Sequence, residues 1–171
     1  MRKAIFLFVL YILSYVIPCR VFADYVLPYP SYMPGNKLYA VSKIAERLEA
    51  WWNWGAIGQT KYHMMLADKY LVESKTLFEY KQYVLAIKAL QISDTHIVQI
   101  PQYIVLGERQ GKNMTQFKFL FNEERDVHRG VLVKLQSELP KTYVWSPEKE
   151  AATTLDIDGL LSHSIMLRTQ Q

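Results

Sequence analysis

The stretch Gln59–Tyr80, QTKYHMMLADKYLVESKTLFEY, carries the clearest helical period in the chain. Met64, Ala67, Leu71, Ser74 and Phe78 recur at steps of three and four, while Lys61, Lys69, Glu73 and Lys75 fall off that line. One such stripe turned inward, with charge on the other sides, is the pattern of an amphipathic helix packed on a core.

The same period extends on both sides. Upstream, Leu38, Val41, Ala45, Leu48 and Trp52 predict a first helix from Lys37 to Trp54, with Asn36 as its N-cap and Gly55-Ala56-Ile57-Gly58 as its stop. Downstream, Val84, Ile87, Leu90, Ile97 and Ile100 continue a third pattern from about Gln82, which Pro101 must kink or break near Ile97 to Pro101. A charged loop, Gly107 to Asn113, leads to a fourth helix from Met114 to Leu139 that buries Phe117, Leu120, Phe121, Val127, Val131 and Leu135 and ends at Pro140. Ser146-Pro147-Glu148 predicts a short helix from Pro147 to Thr153, and another covers Leu160 to Leu167. Thr142 to Trp145 is the one stretch with strand character. The expectation is an all-α, up-and-down bundle of about four helices with short C-terminal helices.

Half of the 171 residues are apolar, about a fifth are charged and seven are glycine, which excludes a disordered or collagen-like chain. The sole cysteine, Cys19, falls in an N-terminal leader, so the rest of the chain has no disulfide or thiolate chemistry. In that leader Arg2-Lys3 precedes the apolar run Ala4 to Ile17, and Val21-Phe22-Ala23 offers a peptidase site before Asp24. The run spans only about 21 Å as a helix, short of a roughly 30 Å hydrocarbon core. Cleavage, an uncleaved anchor and lipidation at Cys19 are the readings; each delivers Asp24 onward outside the cytoplasm. Three of the twenty basic residues, Arg2, Lys3 and Arg20, go with the leader, leaving seventeen against sixteen acidic ones. The whole-chain pI of 9.0 therefore misleads, and nucleic-acid binding has no basic stripe to rest on. Residues 1–23 read as a signal peptide, 24–36 as a proline- and tyrosine-rich strap, 37–139 as the bundle and 140–171 as an extension.

Leu27-Pro28-Tyr29-Pro30, then Pro34, Leu38-Tyr39, Leu66-Ala67-Asp68-Lys69 and the alanine-bearing Tyr83 to Leu90 together carry a resemblance. The chain resembles a family of extracytoplasmic bacterial helical domains of unknown function, over roughly Leu27 to Ile97. The resemblance implies a secreted or membrane-attached helical module and assigns no activity. Ser31 stands where that family tends to have glycine, Lys37 where it has proline and Tyr70 where it has arginine; the last puts in doubt an ion pair with Asp68.

Candidate chemistry is sparse. Helical bundles hold metals through inward carboxylates and histidines, and Glu124 and His128 share a helix face one turn apart. One such pair without a second is not a di-metal site, and a rim or surface pair is the simpler reading. His63-Met64-Met65 offers soft ligands for copper or haem, but successive helical side chains diverge by about 100° and methionine commonly fills gaps. His96 and His163 read as solvent-facing. No G-x-S-x-G elbow or phosphate loop occurs. Asp156-Ile157-Asp158-Gly159 lacks the rest of a calcium loop and reads as a turn. Asn113-Met114-Thr115 fits a glycosylation sequon.

Trp51, Trp52 and Trp54 fan over about 160°, wider than the roughly 100° stripe of a core-facing helix. Either the strap Tyr25 to Met33 covers them or they form a partner surface. The expectation is an exported, non-enzymatic module that contacts an unknown protein or cell-envelope partner, without a cofactor and without nucleic acid, meeting a membrane only through an uncleaved leader. A small metal- or haem-binding bundle, with Glu124, His128 and His63 as ligands, is the alternative.

Overall fold

The computed structural model describes residues 25–30, 32–148 and 151–169. The expected leader, residues 1–23, and the expected cleavage before Asp24 lie outside them. The elements are α1 (Lys37–Trp52), α2 (Gly55–Glu79), α3 (Tyr83–Ile97), α4 (Ile100–Arg109), α5 (Thr115–Glu138), β1 (Thr142–Trp145), β2 (Thr153–Asp156) and α6 (Ile157–Leu167). Helices dominate, and a small two-stranded sheet joins α5 to α6. Among the described residues no helix is long and apolar enough to cross a membrane.

α2 is the axis of the molecule, packing on α3, α4 and α5, while α6 closes against α3 and α5. The stripe Met64, Ala67, Leu71, Ser74 and Phe78 is buried throughout. One cluster gathers Leu66, Tyr70, Leu71, Phe78, Ala86 and Leu90 with Leu132 and Leu135 of α5 and Ile157 and Leu161 of α6. A second gathers Met64, Ala67, Ile97, Ile100, Ile104, Met114 and Phe121 near α4. Leu27 and Met33, from the proline-rich segment before α1, rest against the first cluster.

The helix ends show which local rule prevailed. Asn36 caps α1, its Oδ1 accepting from Leu38 N at 2.9 Å. α1 ends two residues before the expected Trp54: Asn53 leaves the helical backbone at ψ 65°, with its N–H and Nδ2 both on Glu49 O. The glycines expected to stop a helix instead begin the next one. Gly55 turns the chain at φ +81°, and a Cβ on Gly58 would stand 3.0 Å from the Asn53 carbonyl carbon, so Gly58 lets α2 start against the end of α1. Pro101 lies in the first turn of α4, where its missing N–H costs nothing, and the chain breaks rather than bends between Ile97 and Ile100.

Two expectations about the core and the C-terminal region are corrected. α1 buries none of its residues; Leu38, Val41, Ala45, Leu48 and Trp52 face outward. The short helix expected from Pro147 to Thr153 does not form among the described residues: Pro147, Glu148, Ala151 and Ala152 are irregular, Thr153 opens β2, and Lys149 and Glu150 lie outside the description. The β-branched pair Thr153-Thr154 fits a ladder better than a helix. β1 and β2 pair antiparallel, with Tyr143 opposite Leu155 and Val144 opposite Thr154. Lys141 O accepts from Ile157 N and Asp158 N, tying this hairpin to the start of α6, whose N-cap is Asp156.

Candidate functional site

Two regions carry unusual chemistry. The first is α1, which sits on the molecule inside out. Its half-buried side is polar: Tyr39, Ser42, Lys43 and Glu46 face α2. Lys69 Nζ donates to Glu46 Oε1 at 2.5 Å and to Ser42 Oγ at 2.7 Å. Tyr70 donates its hydroxyl to the other oxygen of Glu46 and takes a bond from Lys43. Tyr39 donates to Glu73 Oε1 at 3.0 Å, and burial with the Glu73 carboxylate pushes the Tyr39 phenol far up. Glu73, expected off the buried stripe of α2, is itself buried, and that burial pushes its carboxyl up.

The opposite side of α1 is apolar and open. At about 100° per residue, Leu38, Val41, Ile44, Ala45, Leu48, Trp51 and Trp52 span about 140° of the helix surface. Trp51 and Trp52 are 79% exposed and Trp54 86%, and the three indoles border a surface hollow of about 590 Å³. Among the described residues of the segment Tyr25 to Met33 none lines that hollow: Leu27 and Met33 pack on the core, Pro28, Tyr29 and Pro30 border a groove with Val72 and Lys75, and Val26 is exposed.

The second region lies inside the bundle. On α5 the buried line is Phe121, Glu124, His128, Leu132 and Leu135, so two ionisable groups occupy core positions. Glu124 and His128 are both fully buried, which overturns the rim reading of the pair. Across from them on α2 is Asp68. His128 Nε2 lies 2.7 Å from Asp68 Oδ1, and Tyr25 donates its hydroxyl to Asp68 Oδ2 at 2.6 Å. Behind the imidazole, Arg168 at the end of α6 donates Nε to His128 Nδ1 at 3.2 Å. That donor fixes the tautomer: Nε2 carries the proton and donates to Asp68. The same guanidinium reaches Asp94 Oδ1 at 2.5 Å, Ser93 Oγ at 2.9 Å and Ser164 O at 2.9 Å.

Glu124 has no place in that chain of bonds. Neither carboxylate oxygen has a hydrogen-bond partner among the described residues. Burial first, then the Asp68 charge, drives its carboxyl well above the usual range, with Arg168 opposing. Burial also pushes the His128 imidazole down, against the Asp68 hydrogen bond. The Tyr25 phenol is pushed far up by burial and by the Glu124 and Asp68 carboxylates. One ligand atom from each of Asp68, Glu124 and His128 lies within 4.8 Å of the others.

His63 does not join this group. Its Nδ1 meets His96 Nδ1 at 2.8 Å, and its ring stacks on Tyr103 at 5.1 Å between centroids. His96, expected to face solvent, is half-buried beside Tyr62 and Tyr70, and burial followed by the neighbouring His63 lowers its imidazole to about 4. His163 is exposed, and Asp156 is a helix cap.

The sequence held part of a signal for this interior site. Asp68 stands three residues before Leu71 and four after Met64, inside the apolar stripe, as Glu124 and His128 stand between Phe121 and Leu132. Tyr25, Asp94 and Arg168 reach the site through tertiary packing alone. No protein-family model, curated protein or solved structure matches the chain.

Proposed function

We propose that the chain is an exported, non-enzymatic helical module that works by contact, and that its working surface is the outward apolar side of α1. The body behind that surface reads as an up-and-down bundle with the proline-rich segment as a strap, and the resemblance of the motifs quoted above to extracytoplasmic domains of unknown function supports the reading. The observation that carries this reading is the orientation of α1. A helix with a 140° apolar stripe lowers its free energy by burying that stripe, at roughly 25 cal/mol per Å². Here the polar side is spent on α2 and the stripe is left for something else.

The interfacial zone of a lipid bilayer is the partner that fits. Val41, Ile44 and Leu48 form an aliphatic centre, Trp51 and Trp52 lie at one end, and Lys37 and Arg47 are exposed at the N-terminus and flank of the stripe. Helices that lie in the headgroup plane combine such a stripe with basic flanks, and tryptophan concentrates at that depth.

The test is co-sedimentation of the chain from Asp24 onward with vesicles, read together with tryptophan emission, for the native sequence and Leu48→Glu. The native chain is expected to sediment with a blue-shifted emission, and the variant to stay in solution with an unchanged melting temperature. Equal sedimentation of both, or of neither, defeats the reading. A dimer that forms without vesicles and disappears in Leu48→Glu assigns the surface to a second copy instead.

A further inference from the structure

We propose that Asp68, Glu124 and His128 bind one divalent transition-metal ion at the contact of α2 with α5. The inference is independent of the role of α1. Two carboxylates and an imidazole are the donor set that suits zinc, manganese or iron in the divalent state. Glu124 and His128 are fully buried and Asp68 is buried beside them, and their ligand atoms lie within 4.8 Å of one another. Around a tetrahedral ion with ligands at about 2.0–2.2 Å, the donor atoms stand roughly 3.4 Å apart. Rotamer adjustments of about an ångström close the difference.

The orphan carboxylate is the observation that points to a ligand. A fully buried Glu124 with both oxygens unpartnered among the described residues incurs a desolvation cost that no hydrogen bond there offsets. Asp68 and His128, by contrast, are already oriented. Tyr25 holds one Asp68 oxygen and leaves the other turned toward His128, and Arg168 braces the far side of the imidazole. A hydrogen bond like that of Tyr25 to a ligating carboxylate commonly aligns it for a metal. Of the nearby carboxylates only Asp94 bonds the Arg168 guanidinium, and among the described residues neither Asp68 nor Glu124 is bonded to a lysine or arginine, the place a dication would fill.

Ligation through Nε2 moves the His128 ring proton from Nε2 to Nδ1, so the ring stays neutral, and the Arg168 Nε–H turns from Nδ1 while its other nitrogens keep Asp94, Ser93 and Ser164. Any proton on Glu124 leaves to solvent. Because the ion joins α2 to α5 beneath Tyr25, its role is to hold the bundle together.

The experiment uses the full chain, stripped with a chelator and titrated with Zn²⁺ and then Mn²⁺ by calorimetry, with melting temperatures before and after. One ion per chain and a rise of several degrees in melting temperature are expected. Glu124→Gln keeps the shape of the side chain and is expected to bind about a hundredfold more weakly. Without the ion, that variant is expected to melt no lower than the native chain, because an amide brings no charge to bury; that result also certifies its fold. Paramagnetic Co²⁺ gives a second readout on the native chain, where ring signals of His128 should shift far more than those of His63 and His96. A folded native chain that takes up no ion, equal uptake by Glu124→Gln, or Co²⁺ shifts confined to the His63–His96 pair overturns the proposal.

Discussion

Lys69 on α2 holds Glu46 on α1 at 2.5 Å, and the two groups are among the least exposed charges at the junction of those helices. This ion pair, with the Tyr70 hydroxyl on the other Glu46 oxygen, is the fastening that keeps the polar side of α1 inward.

Glu46→Ala removes both bonds and leaves the Lys69 ammonium with Ser42 alone. A hydrogen bond to a charged group contributes about 1.5–3 kcal/mol. The expected result is local release: faster proteolysis and faster amide exchange within Lys37–Trp52, with a smaller change in the global melting transition, since α1 buries none of its own residues.

Replacing Trp51, Trp52 and Trp54 by alanine together is expected to change folding free energy by no more than about 0.5 kcal/mol per site, the range for exposed positions. Chemical denaturation measures it. A loss of several kcal/mol would mean that the indoles are covered in the folded chain.

Arg168→Met is expected to cost about 3–5 kcal/mol, because it leaves Asp94 and the Ser93 and Ser164 acceptors without their buried cation. Combining it with Asp94→Asn should recover part of that loss, and the four-variant cycle reads the coupling.

The His63–His96 pair predicts loss of stability in acid. His96 titrates near 4 in the folded chain against about 6.5 unfolded, so between those values the unfolded state binds the proton and the folded state does not. Stability is complete above pH 6.5 and falls as pH drops toward 4. With allowance for its partial exposure, the loss by pH 5 should be about 1 kcal/mol, and His96→Gln should flatten the slope in urea titrations run across that range.

Lys81 adopts φ +59°, the left-handed position that ends α2, with Gln82 N on Leu77 O and Lys81 N on Phe78 O. The end of α4 repeats this motif with Gly111 at the same place, bonded to Glu108 O. Lys81→Gly is therefore expected to raise stability by up to about 1 kcal/mol, read as a higher denaturation midpoint.

Periodicity located α2, α3 and α5 because their stripes are buried against one another, and the Pro101 break followed from covalent geometry. For α1 the same period was present, yet a stripe states only that one side is apolar and not which side meets the core. The direction was set by Tyr39, Ser42, Lys43 and Glu46, whose partners on α2 are 23 to 34 residues away in sequence. The hairpin was half legible: Thr142 to Trp145 has strand character alone, but Thr153 to Asp156 becomes a strand only by pairing with it. In the interior, the one-turn spacing of Glu124 and His128 was visible, whereas their burial depended on Asp68 and on an arginine forty residues further along.

That arginine sets an order of events. A ribosome delivers Asp68, Asp94, Glu124 and His128 before it delivers Arg168, so the nascent chain must hold its acidic centre hydrated until α6 emerges. Consolidation of the interior is thereby deferred until the last helix has left the ribosome.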